Sequence, residues 1–287
     1  MKQLLILSGK GGTGKTTVAG AFIRLAQSKA YADCDVDAPN LHLIMNHKEE
    51  PATKDYFGLP KATINTEKCI RCDLCRQNCR FNAISLDEDY HVDYYSCEGC
   101  GVCKFLCPAE AITLSPNKAG DLMLYKEDDV FSTAQLRMGN GTSGLLVTEV
   151  KKQLKEAAQP ETDFAIIDGS PGIGCPVIAS ITGVNMVLIV AEPSISGVQD
   201  MERIVATAQN FGIKIGICVN KHDTNLQKTK QIEEYCKSKE LPFLGTIPYD
   251  PMAVEAINQG KTIVEQPCPS GDAAKILFNN TLEILNS

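Results

Sequence analysis

Residues 7–17 read LSGKGGTGKTT, and the run Gly9-Lys10-Gly11-Gly12-Thr13-Gly14-Lys15-Thr16 inside them fits G-x-x-x-x-G-K-[ST]. An apolar run, QLLIL at residues 3–7, leads in. Residues 16–27 lead out, with Val18, Phe22 and Leu25 spaced for one buried helix face. Strand, glycine loop, helix is the order a phosphate site needs. Glycines let backbone N–H groups turn toward phosphate oxygens, and the following helix adds the positive end of its dipole. The expected cofactor contacts are Gly9, Gly11, Gly12, Thr13, Gly14, Lys15, Thr16 and Thr17. Lys15 is placed at the β- and γ-phosphates and the Thr16 hydroxyl on Mg²⁺, which predicts ATP and Mg²⁺ as ligands. A glycine turn with no ligand is the bland alternative; the strand before and the helix after weigh against it.

Working outward, residues 30–34 form a second candidate strand that ends in DCDVDAPN. Beyond residue 118 come a helix near 145–154, then strand-like runs at 164–167, 186–191, 213–219 and 242–247, with helical segments at 198–210 and 227–237 between some of them. Strands alternating with helices predict an α/β fold with a parallel sheet covered on both faces. Between them the texture turns cysteine-rich and irregular. The predicted organisation is therefore an α/β first part with the phosphate loop over residues 1–60, an inserted small α+β cysteine-rich unit over 61–118, and an α/β second part over 119–287.

The insertion carries an internal repeat. CIRCDLCRQNCRFNAISL at 69–86 aligns with CEGCGVCKFLCPAEAITL at 97–114 at a constant offset of 28. Eight of the 13 cysteines fall in these two runs, each spaced C-x₂-C-x₂-C-x₃-C. With no secretion signal, that spacing reads as metal ligation in a reducing cytoplasm, not as disulfides. The net charge of −7 and the lack of any Lys/Arg-rich run exclude a generic nucleic-acid or anionic-lipid footprint. The longest apolar run, MVLIVA at 186–191, has the length of a buried strand and not of a membrane span. The C-terminal stretch AAKILFNNTLEILNS reads as a helix packed on its own domain.

The form KGGTGKTT, with a second lysine at Lys10, resembles the deviant phosphate loop of the ParA/MinD/Mrp family, which includes the nitrogenase iron protein. That resemblance implies an ATP-dependent homodimer in which Lys10 reaches the partner's nucleotide. DCDVDAPN resembles the family's switch I, implying that Asp35 orients the attacking water. FAIIDGSPGIG at 164–174 resembles a Walker B strand and switch II. It implies Asp168 near Mg²⁺ and Gly172 near the γ-phosphate. By the same resemblance Asn220, in CVNK, contacts the adenine, and Pro248, in GTIPYDP, lines the base. The implied catalytic set is Lys10, Lys15 and Asp35.

The cysteine runs resemble bacterial ferredoxins with two [4Fe–4S] clusters, where the fourth cysteine of each run crosses to the other cluster. This implies Cys69, Cys72, Cys75 and Cys107 for one cluster and Cys97, Cys100, Cys103 and Cys79 for the other. Zinc is the competing metal, since Cys₄ sites also take it. Arg80 stands where the first run would carry the proline found at Pro108. Of the five remaining cysteines only Cys175 draws notice, because the nitrogenase iron protein places a cluster ligand at a similar spacing after the Walker B aspartate. The four histidines carry no assigned role. The chain as a whole resembles MinD-superfamily ATPases with an inserted ferredoxin domain. Three functions fit: an ATP-gated redox carrier, an ATPase for cluster or metal-cofactor maturation, and a positioning ATPase. The electron or metalloprotein partner is left open.

Overall fold

The computed structural model describes residues 1–287. Seven parallel strands carry the sheet: β1 (Lys2–Leu7), β2 (Ala30–Asp33), β9 (Val130–Leu136), β10 (Phe164–Asp168), β11 (Met186–Ala191), β12 (Lys214–Asn220) and β13 (Phe243–Ile247). Two antiparallel strands, β3 (Ala52–Phe57) and β8 (Lys118–Lys126), extend one edge, giving the order β13-β12-β11-β1-β10-β2-β9-β8-β3.

β1 alternates its side chains between the two faces. Leu4 and Ile6 join a core with Phe22 of α1 (Lys15–Ala26), Ile44 and Met45 of α2 (His42–Met45), and Leu277 and Phe278 at the C-terminal end. Leu5 and Leu7 join the opposite core with α5 (Ser143–Ala157), α6 (Cys175–Ile181), α7 (Ile195–Gln209) and α8 (Leu226–Ser238). All six residues of β11 are buried, as the unbroken apolar run MVLIVA predicts for a strand covered on both faces. Two short helices in the cysteine block, α3 (Leu74–Gln77) and α4 (Val102–Leu106), and two C-terminal ones, α9 (Pro251–Asn258) and α10 (Pro269–Asn286), complete the chain. The C-terminal helix packs on its own domain: Phe278 meets Phe22 edge-on, 5.1 Å between ring centroids.

The expected parallel sheet gains an antiparallel extension at one edge. β3 and β8 pair antiparallel, and β8 turns back on β9 through a tight loop. Five of the six residues of β3 are exposed, so this edge strand carries no buried periodicity from which sequence could mark it.

The β3–β8 hairpin opens at its tip into residues 58–117, with Gly58 N–H bonded to Asn117 O at 3.1 Å. Here two small sheets form apart from the main one: β4 (Lys61–Ile64) pairs with β7 (Ile112–Ser115), and β5 (Ile84–Leu86) with β6 (Tyr90–Val92). The sequence repeat recurs in the backbone. α3 and α4 start 28 residues apart, at Leu74 and Val102. Left-handed φ values recur at Arg71 and Gly99, Asp73 and Gly101, and Asn82 and Glu110, each pair at the same offset. The second run uses glycine at two of these positions. The first holds Arg71 and Asp73 there against the usual steric preference.

Candidate functional site

The phosphate loop closes a cleft of about 620 Å³ at the C-terminal ends of the parallel strands, within the range of small-molecule sites. Gly12 and Gly14 take φ values of +78° and +92°, which side-chain-bearing residues resist. A Cβ on Gly14 would fall 2.2 Å from the Asn220 amide nitrogen. Lys15 Nζ lies 2.5 Å from Asp168 Oδ1, and Thr16 Oγ1 donates to Asp168 Oδ2 at 2.6 Å. Burial pulls the Lys15 ammonium toward neutrality, but Asp168 and Asp33 outweigh it and hold its pKa above the ordinary value. The Thr13 hydroxyl, part of the cleft wall, is buried with no partner. An orphaned donor beside a helix N-terminus and a buried lysine suits an oxyanion. Magnesium takes one or two carboxylates and completes its shell with water and phosphate, so Thr16 and Asp168 suffice as protein groups.

The description "CbiA: CobQ/CobB/MinD/ParA nucleotide binding domain" matches residues 4–263. The chain belongs to the CobQ/CobB/MinD/ParA nucleotide-binding family. A Methanocaldococcus jannaschii protein, MJ0578, is 32% identical over 78% of this chain and 79% of its own length. The cytosolic Fe–S cluster assembly factor nubp2 of Xenopus laevis is 22% identical over 99% of this chain and 92% of its own. The Pyrococcus furiosus cell division ATPase MinD shares the fold, with a TM-score of 0.60 at 18% identity over 98% of each chain. The protein is thus a nucleotide-binding ATPase of the MinD/ParA type, with a mostly parallel α/β fold.

Within this MinD/ParA-type site the residues singled out from sequence take different places. Lys10, Gly11, Gly12, Thr13, Gly14, Lys15, Thr16, Thr17, Asp35, Asn220 and Pro248 line the cleft. Asp168 lies behind Lys15 and Thr16, fully buried. Gly9 is elsewhere: it packs on α7, where a Cβ would fall 2.1 Å from that of Asp200, so close packing explains the glycine. Gly172 donates its N–H to Ser8 O at 3.0 Å and lines no part of the cleft. Asn220 donates to Thr13 O at 2.7 Å and accepts from Lys221 N–H at 3.0 Å, so its amide ties the phosphate loop to the end of β12. Asp35 is half-buried and held above the ordinary carboxylate pKa, by desolvation first. Asp33 accepts from the backbone of Asp35, Asn40 and Leu41, so it shapes switch I.

Two cleft features escaped the sequence reading. Lys221 donates from Nζ to Gly12 O at 2.9 Å and occupies left-handed backbone at φ +55°. The α9 segment supplies an apolar wall through Ala253, Val254 and Ile257. A lysine after a strand-end asparagine, or a short apolar helix near the C-terminus, carries no motif of its own.

In the cysteine block, Cys69, Cys72, Cys75 and Cys107 line one cavity, and Cys79, Cys97, Cys100 and Cys103 line another. The rest of each lining is chiefly apolar. Ala83 N–H points at Cys79 Sγ at 3.4 Å and Ala111 N–H at Cys107 Sγ at 3.3 Å, again at the repeat offset. No group of three or more His, Cys, Asp or Glu side chains stands close enough to hold a single metal ion. Cys175 is exposed at the start of α6, and a Cβ on Gly144 would fall 3.1 Å from its Cβ.

Proposed function

We propose that this ATPase holds two [4Fe–4S] clusters in an inserted unit at residues 61–118 and that its nucleotide state gates electron transfer through them. The observation that carries the reading is the sorting of eight thiols into two cavities, each drawing three cysteines from one run and one from the other. The donor set suits the group: four soft thiols per cavity, apolar walls, and a backbone N–H directed at the crossing sulfur of each. A cubane spreads its four thiolates over its corners. Such clusters supply one-electron transfer.

Gating is supported by what touches residues 135–144. Leu136 N–H bonds Val36 O of switch I at 2.8 Å, and Gln135 Nε2 reaches Asp37 O at 3.2 Å. From the insertion, Tyr95 and Glu98 crowd Gly139 and Gly141, where a Cβ would fall 2.6 and 2.8 Å away. Asn117 donates to Asn140 at 2.6 Å. Gly144 abuts Cys175, just past the segment that bonds Ser8 through Gly172. The stretch 135–144 thus touches switch I, Cys175 at the start of α6, and Tyr95 and Glu98 on either side of Cys97. In this reading Lys15 and Thr16 bind the phosphates and Mg²⁺, Asp35 orients the attacking water, and an ATP-bound homodimer brings Lys10 to the partner's nucleotide.

A second reading, cluster or metal-cofactor maturation, is favoured by the likeness to nubp2, itself a cytosolic Fe–S cluster assembly factor. Full sets of four thiols per cavity favour resident cofactors over labile cargo. Anaerobic purification tests the common ground. The expected product is brown and carries about eight irons per chain. A colourless protein with stoichiometric zinc contradicts it.

A further inference from the structure

Two lysines flank the phosphate loop, and one carboxylate holds both. Glu192 Oε2 lies 2.7 Å from Lys10 Nζ, and its Oε1 lies 3.8 Å from Lys221 Nζ. Lys10 Nζ also reaches Ser194 Oγ at 3.4 Å and Ser196 Oγ at 3.3 Å. An ammonium has three donors, and these three acceptors occupy them all. Lys10 must leave Glu192 before it can serve a phosphate.

Glu192 itself is fixed. It follows β11, its carbonyl accepts from Ser194 N–H at 2.8 Å, and Gly197 packs so close that a Cβ would fall 2.2 Å from that carbonyl. Ser194 Oγ in turn caps α7 by accepting from Gly197 N–H. The acid is therefore on rigid backbone, whereas both bases ride on flexible stems. The Lys10 and Glu192 side chains are 36% and 24% exposed. Pairs this wet contribute at most about 1 kcal/mol, so a polyphosphate can displace the carboxylate.

We propose that Glu192 is a positioning residue of the nucleotide site: it holds Lys10 and Lys221 beside the loop until the phosphates of a nucleoside triphosphate take them over. The proposal rests on the nucleotide-binding reading and deepens it. Glu192 competes with the ligand for both lysines, and its withdrawal primes Lys10.

The test is calorimetric titration of the full chain with Mg²⁺ and a non-hydrolysable ATP analogue. Glu192→Gln keeps the shape and removes the charge, and it should tighten binding about two- to tenfold. Removing a negative charge near an anion site also helps binding through the general field. The same substitution is therefore repeated in a Lys10→Met, Lys221→Met background. If Glu192 acts through the lysines, its effect vanishes there. Glu192→Asp, which keeps the charge but shortens the reach, should behave like Glu192→Gln. Equal tightening in both backgrounds, or no change in the single variant, overturns the proposal. A wild-type chain that binds no nucleotide at all overturns the underlying reading instead, and is seen before any variant is made.

Discussion

At the scale of single residues, the buried Asp33–Asp168–Lys15 group is where charge and fold meet. Asp33 is pushed up to about 7 by burial, and then by Asp168 across the strand register. Its folded value exceeds the ordinary 3.8, so the fold resists its ionisation. The resulting stability is whole below about 3.8 and is lost as pH rises through about 7. Relative to an Asp33→Asn chain, the nucleotide-free protein should therefore lose thermal stability between those values; a difference that grows in its favour through the window contradicts the assignment. Asp168 has a different task, since it holds both Lys15 and Thr16. Lys15→Ala should abolish nucleotide binding, as read by calorimetry. Gly14→Ala should weaken it severely, because the new methyl meets Asn220 in backbone already at φ +92°.

At the scale of elements, helix α1 ties the phosphate loop to the core. Phe22 is fully buried against Phe278 of α10, so Phe22→Ala should cost about 3–5 kcal/mol in denaturant unfolding. A loss below about 1 kcal/mol would mean that the C-terminal helix does not pack there. These contacts follow from periodicity, and so α1, β11 and the C-terminal helix were legible in the sequence. β3 was not, because its side chains face solvent on an edge. Lys221 was not, because its role depends on a carbonyl 209 positions away in the chain. Asn220 was found, and its bond to Thr13 O, which ties it to the phosphate loop, was shown only by geometry. Gly9 and Gly172 illustrate the same limit. Motif spacing marks Gly9 and the likeness to switch II marks Gly172, but neither signal shows the packing of Gly9 on Asp200 or the bond from Gly172 N–H to Ser8 O. The glycine loop before α5 is where the insertion meets the rest of the chain. Gly141→Ala should push Glu98 away and, on the gating account, uncouple the insertion while leaving ATP hydrolysis intact; loss of nucleotide binding in this variant would argue against that division.

At the scale of the whole molecule, a nucleotide site and a cysteine-rich unit share one chain through the tip of a sheet-edge hairpin. The repeat was readable in advance, and its constant offset in sequence becomes pseudo-symmetry in the backbone. The contacts that run from the unit through residues 135–144 to switch I were beyond reach, since they depend on which residues face which neighbours. If the crossed sets hold clusters, Cys107→Ser should deplete the site of the first run, Cys69–Cys75, and spare that of the second, halving the iron to about four per chain. The central claim is that nucleotide state is felt at the clusters. It is tested most directly by the reduction potential of the anaerobically purified protein without nucleotide, with ADP, and with a non-hydrolysable ATP analogue. The account predicts that the analogue shifts the potential of at least one cluster relative to the other two conditions. Identical potentials in all three would contradict it.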